Sequence, residues 1–128
     1  MTGRRVVGAV LAGLLVVHAG VVVLAPAAGA KPDTRGQTAE LDVRDNEFDA
    51  DALTVPKGTR VKFVNVGRND HNVIPTSEDD EFLHIPTSRL EPDESVGVWL
   101  NQPGKYRYYC SLHGTRAAGM RGVITVKG

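Results

Sequence analysis

From about residue 39 onward, the apolar residues of this chain come in short runs that alternate with polar ones. Gly, Pro, Asn and Asp clusters cut the runs apart. In Arg60-Val61-Lys62-Phe63 the apolar pair Val61 and Phe63 fall on one face of a strand, with Arg60 and Lys62 on the other, because successive strand side chains point to opposite sides. Val96, Val98 and Leu100 alternate with Gly97 and Trp99 in the same way. Pro56-Lys57-Gly58 and Gln102-Pro103-Gly104 are turn signals, since Pro fixes φ and Gly frees it. No stretch of helical length in this region shows a 3.6-residue period. Strands are expected near 39–45, 52–56, 60–66, 71–74, 94–100, 105–110 and 121–127. Seven to eight short strands over 39–128 predict an all-β fold, a β-sandwich with Greek-key connections. The stretch 75–93 reads as one long irregular connection with an acidic crest, Glu78-Asp79-Asp80-Glu81. That crest is expected to be a solvated loop, with docking of a cationic partner as the other reading.

The first 30 residues follow different rules. Arg4 and Arg5 are their only charges, and a nearly unbroken apolar run follows from Val6 to Ala25. Pro26 ends the run, and Ala28-Gly29-Ala30 supplies small residues before Lys31. A basic start, an apolar middle and an Ala-x-Ala end predict a helical signal peptide over 1–30, cut after Ala30. An uncleaved membrane anchor is the rival, because the run approaches bilayer-spanning length. The chain is therefore expected to be exported, to the periplasm, the cell envelope or the medium. Residues 31–38 are expected to form a loose polar leader ahead of a single domain over 39–128.

Charge and cysteine content narrow the function. Lys and Arg number 15 against 15 Asp and Glu, so no excess of cations is available to bind nucleic acid. The one Cys excludes an intramolecular disulfide. A lone Cys in an exported protein is expected to be buried, paired with another chain or held as a metal thiolate.

Such a thiolate has partners at hand. Tyr108-Tyr109-Cys110-Ser111-Leu112-His113 runs on through Gly114 to Met120, just past an expected strand. His71-Asn72 lies far upstream, after the Gly67-Arg68-Asn69-Asp70 turn. Taken singly, His71 reads as a surface or satisfied imidazole, and His113 as a residue of a Gly-containing loop. Cys110 reads as a small buried hydrophobe and Met120 as core filler. Together, two imidazoles, one thiolate and one thioether are the ligand set that holds copper in electron-transfer sites. Zinc is the nearest rival, but a structural zinc site does not usually recruit Met and seldom has one thiolate alone. His84 reads as a loop or core residue rather than a ligand.

On these residues the chain resembles the cupredoxins, the small blue-copper proteins. The segment from Asn46 to Pro75 is similar to the family's N-terminal half, which ends at its first His ligand. The segment from Leu100 to Val126 is similar to the C-terminal half, with its Pro-Gly turn, aromatic strand and Cys–His–Met loop. The resemblance implies one type 1 copper ion, with His71, Cys110 and His113 as strong equatorial ligands and Met120 as the axial one. It implies a bracing role for Asn72, bonded to the backbone near Ser111. There is a departure: six residues separate His113 from Met120, more than the plastocyanin-like loop carries.

The expectation is a monomeric carrier of single electrons that meets redox partner proteins, a cytochrome or an oxidoreductase. His113 would be the exit for the electron, within an apolar rim of Leu112, Gly114, Ala117 and Ala118. A membrane partner is expected only if the N-terminal segment stays uncleaved. The alternatives are a copper carrier or chaperone and a metal-free immunoglobulin-like module. An enzyme is not expected, because beyond residue 30 the only imidazoles are His71, His84 and His113, too few for a second copper centre.

Overall fold

A computed structural model describes residues 36–128 of the chain. The expected signal segment over 1–30 lies outside the described residues, as does the leader up to residue 35. Among the described residues no helix is long and apolar enough to cross a membrane.

Eight strands form two four-stranded sheets. In chain order they are β1 (Thr38–Arg44), β2 (Glu47–Phe48), β3 (Ala52–Pro56), β4 (Thr59–Asn65), β5 (Ile74–Pro75), β6 (Ser95–Leu100), β7 (Gly104–Gly114) and β8 (Gly119–Lys127). One sheet has the order β2-β1-β4-β6 and the other β3-β8-β7-β5. Two pairings are parallel, β1 with β4 and β3 with β8. The chain therefore crosses between sheets instead of running as a simple meander.

Alternation sets which face is buried. Along β4, Thr59, Val61, Phe63 and Asn65 are buried while the residues between them are partly exposed. Along β7, Tyr106, Tyr108 and Cys110 point inward. The core between the sheets combines Leu41, Val43, Val61, Phe63 and Leu100 with Val55, Tyr108, Ile124 and Val126. Tyr108 meets Phe48 and Phe63 edge-on, with ring centroids 4.8 and 5.6 Å apart, the arrangement that ring quadrupoles favour.

Four elements differ from expectation. The strand expected over 71–74 is only Ile74–Pro75. The His71 N–H is taken by the carbonyl of Leu90 at 3.2 Å, and Val73 exchanges backbone bonds with Ile85 alone. The strand expected over 105–110 extends to Gly114. The pair Glu47–Phe48 is too short for its period to show. The connection 75–93 is more built than an open loop: 3₁₀ turns at Glu78–Leu83 and Thr87–Arg89 seat Leu83, Ile85 and Leu90 in the core.

Candidate metal centre

His71 stands at the end of a short loop, 66–70, that hangs from β4. Asn65 and Asp45 hold that loop. The Asn65 side chain donates to the carbonyls of Asn69 and Leu90, at 2.8 and 2.9 Å, and accepts from the Gly67 N–H at 2.9 Å. Asp45 Oδ1 accepts from the N–H groups of Arg68 and Asn69, at 2.6 and 3.2 Å. Those two donors hold the Asp45 carboxyl below the usual carboxylate range. A Cβ on Gly67 would crowd the same carboxylate oxygen at 2.5 Å, so the approach depends on glycine. Leu90 then anchors His71 itself, since its one carbonyl serves both Asn65 and the His71 N–H.

Cys110 sits on the buried face of β7, with His113 three residues on at the strand's irregular end. The Cys110 Sγ lies 3.7 Å from His71 Nδ1 and 3.6 Å from His113 Nδ1. All three donor atoms lie within 4.8 Å of one another. Residues 39 positions apart are thus brought to one point. His71 and Cys110 are fully buried, whereas His113 reaches partly to solvent. Burial and the neighbouring His113 push the His71 pKa down. A neutral imidazole is the form that ligates. The second nitrogen of His71, Nε2, is buried without a hydrogen-bond partner among the described residues.

The donor set fits a metal ion. Imidazole nitrogen and thiolate sulfur bind at about 2.0–2.3 Å, so donors sharing a trigonal plane stand about 3.5–4.0 Å apart. The two sulfur–nitrogen separations fall in that interval.

Asn72 ties the two halves together. Its Oδ1 accepts from the Ser111 N–H at 2.8 Å, and its Nδ2 donates to Ser111 Oγ at 2.9 Å. The same Nδ2 lies 3.3 Å from Thr87 Oγ1. The residue after the first imidazole therefore grips the residue after the sulfur.

Met120 is buried near the start of β8. Gly114 pairs with Gly119, which folds the intervening loop back on the end of β7. Gly119 has φ +80°, and a Cβ there would lie 2.7 Å from the His113 carbonyl. A Cβ on Gly114 would lie 2.6 Å from the Met120 nitrogen. Thr115 closes the loop tip: its N–H donates to the Ala118 carbonyl at 2.8 Å and its Oγ1 accepts from Ala117 and Ala118. Leu112, Ala117 and Ala118 are exposed and Gly114 partly so. His84 stands apart from the cluster, in an exposed pair with Glu81 at 2.9 Å. Asn65, Asp45, Leu90 and Thr87 carry no signal in the sequence, because only the fold sets them beside the ligand segments.

Comparisons with known proteins bear on the family and the fold. The family model described as a cupredoxin-like domain matches residues 14–126. A plastocyanin of Prochlorothrix hollandica is 36% identical over 84 residues, covering 62% of this chain and 63% of that one. A chloroplastic plastocyanin of Physcomitrium patens is 34% identical, over 58% of this chain and 46% of its own. The chain thus spans roughly half to two thirds of the length of these two relatives. A plastocyanin of Daucus carota is 30% identical, with 62% of this chain and 86% of that one covered. Among solved structures, a purple cupredoxin from Nitrosopumilus maritimus superposes with TM-score 0.58 at 21% identity, over 70% of this chain and 99% of that chain. A mutant fern plastocyanin gives 0.59 at 28% identity, over 70% and 100%. By its sequence match and its two-sheet architecture, this chain belongs to the cupredoxin-like family.

Proposed function

We propose that the chain is an exported blue-copper protein that binds one copper ion and passes single electrons between redox proteins. The observation that carries this reading is the convergence of His71 Nδ1, Cys110 Sγ and His113 Nδ1 at one buried point. These three residues would hold the ion as strong ligands, with Met120 as the weak axial one. When bound, copper supplies a one-electron couple. The residues around it hold the donors still, because a site that keeps one shape in both oxidation states transfers electrons with little reorganisation. Asn72, Asn65 and Asp45 provide that bracing. His113 is the ligand nearest solvent, and exposed Leu112, Ala117 and Ala118 lie on its loop. Small apolar contacts of this kind suit brief encounters with a partner. Buried, braced ligands favour retention of the ion over its delivery, and a metal-free adhesion module has no use for them.

The test is optical. The copper(II)-loaded protein is expected to show thiolate-to-copper charge transfer in the visible and a matching EPR spectrum. Cys110→Ser is expected to abolish the colour. A colourless wild-type product with copper bound refutes the reading. Export with a cut after Ala30 belongs to the same proposal, and the mass of the secreted chain checks it.

A further inference from the structure

Beside the loop that joins His113 to Met120 lies a groove of about 390 Å³, lined by Asp51, Thr76, Arg107, Arg116, Arg121 and the backbone at Gly122. Two of its arginines belong to the outer face of one sheet. Tyr106 and Tyr108 are buried, so Arg107 between them points outward. In register, Arg107 lies opposite Val123 and Tyr109 opposite Arg121, which makes the arginines diagonal neighbours on adjoining strands. Arg116 comes from the loop itself. All three are exposed. Among the described residues the ion pairs are Arg44–Asp49, Lys62–Glu40 and His84–Glu81, so none of the three arginines is matched by a carboxylate. Asp51 offsets one charge of three.

Cations crowded into one concavity repel each other, and among the described residues no ion pair holds their guanidinium groups. We propose that this groove docks a carboxylate-rich surface of the protein with which the chain exchanges electrons. The proposal rests on the electron-carrier reading and names the partner's chemistry. Guanidinium forks bind carboxylates in pairs, which gives orientation as well as attraction. Arg116 sets one of those contacts on the loop between His113 and Met120, so a partner held in the groove touches the loop that leads from the solvent-facing imidazole. The acidic crest works in the same sense. Glu78 and Glu81 line a neighbouring cleft with Arg116 and repel an acidic surface that approaches out of register. A groove whose cations all sit on exposed side chains suits a passing protein surface better than a retained small anion.

The test is an NMR titration of the full ¹⁵N-labelled chain, without added metal, with hexaglutamate peptide. Amides at Thr76, Arg107, Arg116, Arg121 and Val123 are expected to shift, while those at Lys57 and Lys62 hold still. Arg107→Glu with Arg121→Glu is expected to weaken binding about tenfold or more, and Arg116→Gln less. Shifts spread evenly over all cationic residues, no shifts, or equal binding by the double variant overturn the proposal. The same shifts produced by unlabelled chain alone also overturn it, since the occupant is then the acidic crest of a second copy. The titration needs no metal, so its failure and the absence of blue colour in copper-loaded protein show separately.

Discussion

Asn72 has one amide with three partners, and each joins parts of the chain that are distant in sequence. Replacing it with Ala leaves the Ser111 N–H without its acceptor. That bond is only part-buried and Ser111 itself is exposed, so its loss costs about 0.5–1.5 kcal/mol. Asn72→Ala is therefore expected to lower unfolding free energy by that amount, measured by denaturant titration of the metal-free chain. Charge-transfer absorption is expected to persist in the copper-loaded variant, with altered energy or intensity, because the thiolate is retained but less firmly aimed. An unchanged spectrum means that the amide does not steer the sulfur. His71 gives a prediction in pH. Burial, helped by His113, sets its folded pKa below the ordinary imidazole value of 6.5. The unfolded chain thus takes up a proton that the folded chain refuses. The metal-free protein is expected to keep this contribution above about pH 6.5 and to lose it as pH falls toward the folded pKa. In His71→Gln that part of the pH slope should vanish, and a slope that survives assigns it elsewhere. Of these residues, the cluster of His71, Cys110 and His113 was legible because its donor types are scarce and their order is unusual. Thr87 and Leu90 were not, because a hydroxyl or a backbone carbonyl carries no chemical mark until the chain folds.

The hairpin of β7 and β8 carries most of the centre, and its glycines govern it. Tyr108 lies opposite Gly122, and a Cβ there would collide with the buried ring. Gly122→Ala is expected to destabilise the fold by about 1–3 kcal/mol, the usual cost of overpacking, as read by thermal or denaturant unfolding. A neutral result shows that the ring moves aside freely. Gly119 has a different reason to be glycine. Its positive φ and its closeness to the His113 carbonyl leave no room for a side chain. Gly119→Ala is expected to disturb the approach of Met120 and so to shift the reduction potential while Cys110 keeps the colour. A potential equal to wild type removes Met120 from the ligand set. The loop before His71 adds an acid-sensitive joint. The Asp45 carboxyl is held below 3.8 by the Arg68 and Asn69 N–H groups, so its bracing is whole above that pH and is lost as pH falls through the folded pKa. Asp45→Asn is expected to flatten this acid limb. The period-two runs revealed β4 and β6 closely, because one face of each packs on the core. They revealed β5 poorly, because the backbone of His71 and Val73 bonds to Leu90 and Ile85 instead of continuing a ladder.

The sandwich as a whole was readable because alternation and turn residues act locally. The parallel pairings of β1 with β4 and β3 with β8 were not, because register between distant strands is decided by side chains that meet only in the folded state. The connection 75–93 shows the same limit: its acidic crest suggests solvent, while Leu83, Ile85 and Leu90 complete the core. This architecture determines what metal removal does. His71 reaches the centre from the connection between β4 and β5, and Cys110 and His113 reach it from β7. An ion at that point cross-links segments 39 residues apart. The cross-link is not expected to be what folds the chain, however. The two sheets, the aromatic contacts of Tyr108 and the Asn72–Ser111 bonds are all made by protein groups alone. Metal-free protein is therefore expected to keep its β circular-dichroism spectrum and a cooperative unfolding transition. Copper is expected to raise Tm in a concentration-dependent way, by about 2.7 kcal/mol of stability at a hundredfold excess over Kd. Chelation should reverse the gain without loss of secondary structure. A chain that unfolds on chelation places the metal within the folding core, and a chain whose Tm ignores copper denies the cross-link.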